Sequence, residues 1–259
     1  MVRMKLSEEM KIAKQAARKA GKILMDMYGS VDVSYKPDGT IVTEADRRSE
    51  RTIKELIERE FPDYSILGEE FGFDRKDSEY MWVIDPLDGT TNYMIKNPFF
   101  NVSIGLFRGE DVILGVVYYP FQDEMFYAKK GKGAYLNGKR IKVSDEKDIK
   151  KAVLTFCHKS DPESVEMMAR IFREFKMINP KVRQIGAAAL EMSYVACGRI
   201  ESFLMINLNL WDIAAGSVIV RESGGRVTDF NNREFNANSR NVLASNGYLH
   251  REILEIINQ

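Results

Sequence analysis

The chain has 259 residues, with 38 Lys+Arg against 38 Asp+Glu, so its formal net charge is zero. It is 44% hydrophobic and 29% charged, which fits an ordinary globular protein and neither a disordered nor a fibrous one. The balanced charge argues against a dedicated nucleic-acid binder. With two His and two Cys, a zinc site of the common kind is close to excluded, as are most histidine-based proton relays. Any chemistry here must run on carboxylates and other oxygen groups.

Met1 to Lys22 carries charge every few residues and lacks the apolar stretch of a signal peptide. No run approaches the roughly 20 apolar residues of a membrane span. A cytoplasmic protein in a reducing compartment, without membrane partners, is the expectation. From Ser7 the sequence predicts a helix, with Met10, Ala13, Ala17, Ala20, Leu24 and Met27 at helical spacing and Gly29 as its stop. A short extended stretch over 31–35 leads into the turn Pro37-Asp38-Gly39-Thr40, which is either a hairpin tip or a mobile lid. A second helix starts near Thr43, carries Ile53, Leu56 and Ile57 on one stripe, and ends before Pro62. A short strand over Tyr64 to Leu67 precedes Gly68-Glu69-Glu70, and Met81 to Ile84 forms another. Phe100 to Phe107, Val112 to Tyr119 and Met125 to Ala128 read as an antiparallel meander, and Asn137-Gly138 as a further hairpin turn.

Beyond about Lys150 strands and helices alternate. Strands are expected over Ala152 to Cys157, Val182 to Ile185, Ile200 to Ile206 and near Val227 and Val242. Helices are expected over Pro162 to Phe175, Gly186 to Gly198, Trp211 to Ser223 and at the C-terminus. The pattern predicts an α+β half over residues 1–150 and an α/β half over 151–259, packed together without a linker.

The sharpest local feature is Trp82-Val83-Ile84-Asp85-Pro86-Leu87-Asp88-Gly89-Thr90-Thr91. An apolar strand delivers Asp85 at its carboxyl end, where ligand sites of sheet proteins collect. A turn through Pro86 and Leu87 would let Asp85 and Asp88 face one point, with the Leu87 carbonyl between them. Gly89-Thr90-Thr91 then begin a helix whose free N–H groups suit a phosphate. Paired carboxylates call for a divalent cation or a shared proton, and an all-oxygen set favours magnesium, manganese or calcium. The plainer reading is a strand-to-helix turn with Asp88 as an N-cap. Haloacid-dehalogenase-type phosphatases separate their two aspartates by one residue; two intervene here, which disfavours an aspartyl-phosphate route. Three other acidic spots could join the pair. Glu69 in Gly-Glu-Glu could equally be a solvated turn. Asp212 after Trp211 could be a first-turn residue favoured by the helix dipole. Asp46 after Thr43 is close to a capping box.

Together these motifs resemble the inositol monophosphatase family. Gly68-Glu69-Glu70, then Asp85-Pro-Leu-Asp88-Gly89-Thr90-Thr, then Trp211-Asp212-Ile-Ala-Ala-Gly follow that family's order, and Gly186-Ala187-Ala188 is similar to its substrate-contacting helix start. The family belongs to the magnesium-dependent, lithium-sensitive sugar phosphatases, whose fold stacks alternating α-β-α-β-α layers. The resemblance implies that Glu69, Asp85 and the Leu87 carbonyl hold one magnesium, and that Asp85, Asp88 and Asp212 hold a second. It implies that Asp46 and Thr90 activate the attacking water, with a third, weaker ion near Glu69, and that Gly89 and Thr90 bind phosphate. Manganese is the expected substitute metal, a homodimer the expected assembly, and a small sugar or polyol phosphate the expected partner.

One position departs from the inositol-preferring members, which place a glutamate seven residues before the Trp-Asp aspartate. Met205 stands there, which points to broader relatives that take both inositol monophosphate and fructose 1,6-bisphosphate; its plainer reading is a core strand residue. Arg183, just before Gly186, is the candidate cation for a second phosphate, or else a strand-end surface residue. Histidinol-phosphate and nucleotide 3′-phosphate phosphatases are alternatives, as is a regulatory protein that keeps the fold. Gly131-Lys132-Gly133 is read as a turn rather than a phosphate loop. Trp82, Trp211, Cys157 and Cys197 are read as packing residues, and His158 and His250 as surface or helix-end residues.

Overall fold

The computed structural model describes residues 7–30, 33–35 and 40–259; the turn residues Pro37, Asp38 and Gly39 lie outside the described residues. Helix α1 (Glu8–Met27) and α2 (Glu44–Glu60) flank a two-stranded hairpin of β1 (Val33–Tyr35) and β2 (Ile41–Thr43). Next come β3 (Ser65–Gly68), β4 (Gly72–Asp74), β5 (Tyr80–Asp88) and the short helix α3 (Thr90–Met94). The meander follows as β6 (Asn101–Arg108), β7 (Asp111–Tyr119), β8 (Glu124–Lys129), β9 (Ala134–Leu136) and β10 (Lys139–Arg140). Its sheet has eight strands in the order β10-β9-β8-β7-β6-β5-β3-β4. Asn137 and Gly138 both take positive φ, 48° and 83°, as the two-residue turn between β9 and β10 requires.

The second half contributes β11 (Leu154–His158), α4 (Pro162–Ile178), β12 (Val182–Arg183), α5 (Ala188–Ala196), β13 (Ser202–Ile206), α6 (Leu210–Glu222), β14 (Arg226–Thr228), β15 (Asn241–Ser245) and α7 (His250–Ile257). Its five-stranded sheet runs β12-β11-β13-β15-β14, parallel over the first three and antiparallel at the other edge.

Period-two burial sorts side chains between layers. On β5, Trp82 and Ile84 join Ala13, Ala17, Ile53 and Ile57 in the core under α1 and α2, while Val83 faces Leu190, Ile213 and Ala214 of α5 and α6. On β13, Met205 faces that middle helix layer, whereas Leu204 and Ile206 face α4 and α7. The result is the expected α-β-α-β-α stack. Small residues bring the middle helices close: a Cβ on Gly105 of β6 would stand 2.9 Å from Ala214 Cβ, and one on Gly216 2.7 Å from Met192 Cβ. That close approach brings the first turn of α6 against the eight-stranded sheet, where Ser103 Oγ donates to the Trp211 carbonyl at 3.5 Å.

Several expectations need adjustment. The edge strand β4 was not expected, and the stretch 182–185 pairs only over Val182 and Arg183. Gly186 does not open α5; it takes φ +84° in the approach, and Ala187 is the N-cap. His250 is fully buried rather than at the surface. Its ring nitrogens lie 2.9 Å from Thr228 Oγ1 and 2.8 Å from Ser245 Oγ. Ser7 occupies the N-cap of α1 without a side-chain capping bond.

Candidate active site

Asp85 and Asp88 lie three residues apart on one strand, so plain alternation would point them to opposite faces. Register with β6 resolves this. Asp85 pairs with Ser103 and Asp88 with Asn101, so β5 spends one more residue than its partner between those points. That is a β-bulge at Pro86-Leu87, and it returns the second aspartate to the first one's side. The expected turn is therefore a bulge inside a continuous strand. Asp85 Oδ1 accepts the Leu87 N–H at 3.0 Å, closing the bulge.

Asp88 is not the N-cap of the helix that follows it, a position Gly89 takes; its carboxylate instead reaches the first-turn N–H groups of a distant helix. Its Oδ1 accepts from Ala188 N at 2.9 Å and its Oδ2 from Ala189 N at 2.8 Å, at the start of α5, while Asn101 Nδ2 donates to Oδ2 at 2.6 Å. One carboxylate thus ties the two halves together. Gly89 follows in the left-handed region at φ +92°, and a Cβ there would stand 2.7 Å from the Phe99 carbonyl, so only glycine fits. It introduces α3, whose first-turn N–H groups have no intrahelical partners. Asn92 of α3 donates to the Ile185 and Gly186 carbonyls at 2.8 and 3.2 Å, holding the approach to α5 against it.

Asp46 fulfils the capping box and still faces the cleft. Its Oδ2 accepts from Thr43 N at 2.8 Å, and its Oδ1 lies 3.4 Å from Thr90 Oγ1. The Thr90 hydroxyl also reaches the Leu87 carbonyl at 3.0 Å. Asp212 arrives on the first turn of α6, its Oδ2 accepting from Asn209 N at 2.7 Å. Glu69 stands just after β3, its N–H bonded to the Ile84 carbonyl of the neighbouring strand. Its charge raises the pKa of Asp46, Asp85 and Asp212 alike, so Glu69 shares their cleft.

Burial pushes the four aspartates up, and neighbouring negative charge adds to it at Asp46, Asp85 and Asp212. Asp46 is raised to about 7, by burial first, against the pull of its Thr43 bonds. Asp85 rises well above the ordinary range, by burial and then by Glu69, Asp88 and Asp212. Burial raises Asp88 as well, against its bonds to Asn101, Ala188 and Ala189. Asp212, only half-buried, reaches about 8, chiefly through desolvation with Asp88 and Glu69 adding to it. Such a set is stable in its charged form only beside cations, and its all-oxygen chemistry fits hard divalent ions. It is gathered rather than closed: among the described residues no three acidic, His or Cys side chains already form a cage for one ion.

Two supporting carboxylates were not anticipated. Glu50 lies one turn beyond Asp46 on α2, buried, accepting from Glu70 N at 2.7 Å and Phe71 N at 3.0 Å. It thereby pins the turn that carries Glu69, and burial raises it to about 6. A Cβ on Gly68 would overlap its Oε1, so the glycine is what admits this carboxylate. Its spacing of three and seven from Ile53 and Ile57 put Glu50 on the buried stripe, the one signal that could have found it. Glu191 on α5 is buried too, and its Oε1 accepts from Gly186 N at 3.0 Å and Ala187 N at 3.3 Å. Burial raises it to about 7.

Arg183 is not brought to the carboxylates. It is exposed, and its guanidinium donates to the Val182 and Pro180 carbonyls at 3.0 and 3.4 Å. Met205 is buried in the middle core, as its plainer reading holds. The Gly131-Lys132-Gly133 turn does cradle an anion, but the anion is Glu222, which accepts from Gly131 N and Gly133 N at 2.7 Å each.

Known proteins resemble this chain along nearly its whole length. The inositol monophosphatase family matches residues 5–259. A fructose-1,6-bisphosphatase/inositol-1-monophosphatase of Thermotoga maritima is 40% identical over 244 residues, covering 93% of this chain and 93% of its own. A protein of the same name from Aquifex aeolicus is 38% identical over 255 residues, covering 97% of this chain and 96% of its own. Among solved structures, the extragenic suppressor protein suhB of Bartonella henselae has a TM-score of 0.93 at 34% identity, covering 98% and 99% of the two chains. A family match over residues 5–259 and identity at this level over nearly the full length place the chain in the inositol monophosphatase family, to which it belongs.

Proposed function

We propose that this chain hydrolyses phosphate monoesters of small sugars and polyols with magnesium, by direct attack of water. Inositol 1-phosphate and fructose 1,6-bisphosphate are its substrates in this reading. The observation that carries it is the gathering of Asp85, Asp88 and Asp212, from the end of β5 and the first turn of α6, in surroundings that raise the pKa of all three, with Glu69 just after β3 adding its charge to Asp85 and Asp212. In our reading Glu69, Asp85 and the Leu87 carbonyl hold one ion and Asp85, Asp88 and Asp212 the second, with a third and weaker one near Glu69. Manganese substitutes for magnesium. Such ions, when bound, supply charge neutralisation and acidify the attacking water.

The chain's own residues do the rest. Thr90 Oγ1 accepts a proton from the water while its own hydrogen passes to Asp46 Oδ1, 3.4 Å away. Asp46, raised to about 7, is matched to that task near neutral pH. First-turn N–H groups at Gly89 and Thr90 receive the phosphate oxygens, and the approach formed by Gly186, Ala187 and Ala188 borders the substrate. Positioning and charge neutralisation suffice for phosphoryl transfer, so no histidine is needed. A homodimer is part of the proposal. No helix among the described residues is long and apolar enough to cross a membrane.

The test is phosphate release from inositol 1-phosphate, fructose 1,6-bisphosphate, histidinol phosphate and adenosine 3′,5′-bisphosphate, with magnesium and with chelator. Release from the first two that vanishes with chelator supports the reading. Preference for either of the last two, or a phosphorylated Asp85, overturns it.

A further inference from the structure

A cation stands beside the carboxylate cleft: Lys159 is joined to the first turn of α6, which carries Asp212, through Asn209. Lys159 leaves the end of β11 half-buried, and its Nζ donates to Asn209 Oδ1 at 2.8 Å. Asn209 immediately precedes α6 and gives its backbone N–H to Asp212. The same pair of loops is pinned a second time. Asn207 Nδ2 donates to Asp161 Oδ2 at 3.0 Å, while Asp161 Oδ1 caps α4 through Ser164 N at 3.0 Å. The ammonium is therefore held at the Asp212 end of the cleft by the five-stranded sheet, across from the bulge of the eight-stranded sheet that carries Asp85 and Asp88.

What Lys159 bonds is informative. A lysine serving only to neutralise Asp212 would bond its carboxylate; among the described residues this one bonds the neutral amide of Asn209 beside it. Two ammonium donors are left over. Arg183, by contrast, spends its guanidinium on the Pro180 and Val182 carbonyls just before it in the chain.

We propose that Lys159 is a specificity-determining residue of the cleft, receiving the second anionic group of a sugar or polyol bisphosphate while the phosphate to be cleaved lies against Gly89 and Thr90. This rests on the phosphatase reading above and names the substrate class that reading favours. A monophosphate brings only hydroxyls to Lys159, which then keeps its bond to Asn209.

Lys159→Gln and Lys159→Arg test this with fructose 1,6-bisphosphate and inositol 1-phosphate as probes, by steady-state kinetics with magnesium. Calorimetric binding of the same two compounds, with calcium in place of magnesium, supplies a readout apart from turnover. Loss of a charge-assisted bond to a phosphate is worth about 10- to 100-fold. Lys159→Gln should raise KM and Kd for the bisphosphate by that factor, shift the kcat/KM ratio of the two substrates at least about 10-fold toward the monophosphate, and leave kcat for the bisphosphate within a few-fold. Lys159→Arg should restore the ratio. An equal loss on both substrates would make Lys159 a support for Asp212 and overturn the proposal. So would an unchanged ratio, or a wild type that binds the bisphosphate no better than the monophosphate. Failure of the phosphatase reading looks different: the wild type releases no phosphate from either compound, and the binding comparison then decides on Lys159 alone.

Discussion

Asp212→Asn should stabilise the metal-free protein while disabling it. The carboxyl of Asp212 is raised from an ordinary 3.8 to about 8. At pH 7 the unfolded chain ionises freely and the folded chain resists. Stability linked to this group is complete only below its ordinary pKa and is lost as pH rises toward 8. Three units between 3.8 and 7 correspond to about 4 kcal/mol at 1.36 kcal/mol each. Asp212 keeps part of its surface in solvent and shares its repulsion with Asp88 and Glu69, so the recoverable share is about 2 kcal/mol. Asparagine keeps an oxygen for the Asn209 N–H, so the start of α6 is undisturbed. A gain of that size raises Tm by about 4–8 °C in a chain this long. The assay is thermal unfolding in chelator and in magnesium. In the wild type, magnesium at about 100 times its Kd adds about 2.7 kcal/mol; most of that increment should vanish in the variant, together with most turnover. A variant less stable than wild type in chelator, or one that magnesium stabilises as much as wild type, would refute the reasoning.

Two further outcomes can be checked on the same preparations. Gly68→Ala places a methyl group on the Glu50 carboxylate and drives it off the Glu70 and Phe71 N–H groups. The cost is about 2–3 kcal/mol from the displaced buried charge, with the magnesium concentration for half-activity rising several-fold; unchanged magnesium dependence would show that Glu50 does not position Glu69. His250 is held neutral, its pKa lowered to about 4 by burial and by Arg226. Its contribution is present above pH 6.5 and is lost as pH falls toward 4, up to about 3 kcal/mol. Denaturation of wild type and His250→Gln from pH 8 to 4 isolates it, since the shared carboxylates cancel in the difference; parallel curves would refute the assignment.

Most of the fold was legible because its signals are local and repeated. The meander showed in apolar runs broken by polar turns, and the later half in alternating strand and helix patterns. The five acidic positions stand out in short motifs, and the plainer readings of Asp46 and Asp212, as capping and first-turn residues, hold alongside a place in the cleft. Asp46 closes a capping box and faces Thr90; Asp88 does not cap the helix after it, and its carboxylate accepts instead from N–H groups 100 and 101 residues on. What remained hidden depends on register and long-range contact. Nothing in Asp-Pro-Leu-Asp distinguishes a turn from a bulge, because the extra residue is defined only against β6. Lys159 acts through Asn209, 50 residues along the chain, and Asn101 reaches Asp88 only through the pairing of β5 with β6. His250 stands at a helix end, as one of its two readings has it, but it is buried there because Thr228 of β14 and Ser245 of β15 close around its ring. Arg183 was named for its nearness to Gly186 in sequence, yet its side chain turns back on the carbonyls of its own strand.

The central claim, that Asp85 joins two ions and water attacks directly, is tested most directly by Asp85→Asn. Calorimetric titration with magnesium and phosphate release on one folded preparation would read both halves of it. The account predicts loss of magnesium binding in the variant and a fall in turnover of at least about 10²–10³. Near-normal turnover in a folded Asp85→Asn protein would contradict it.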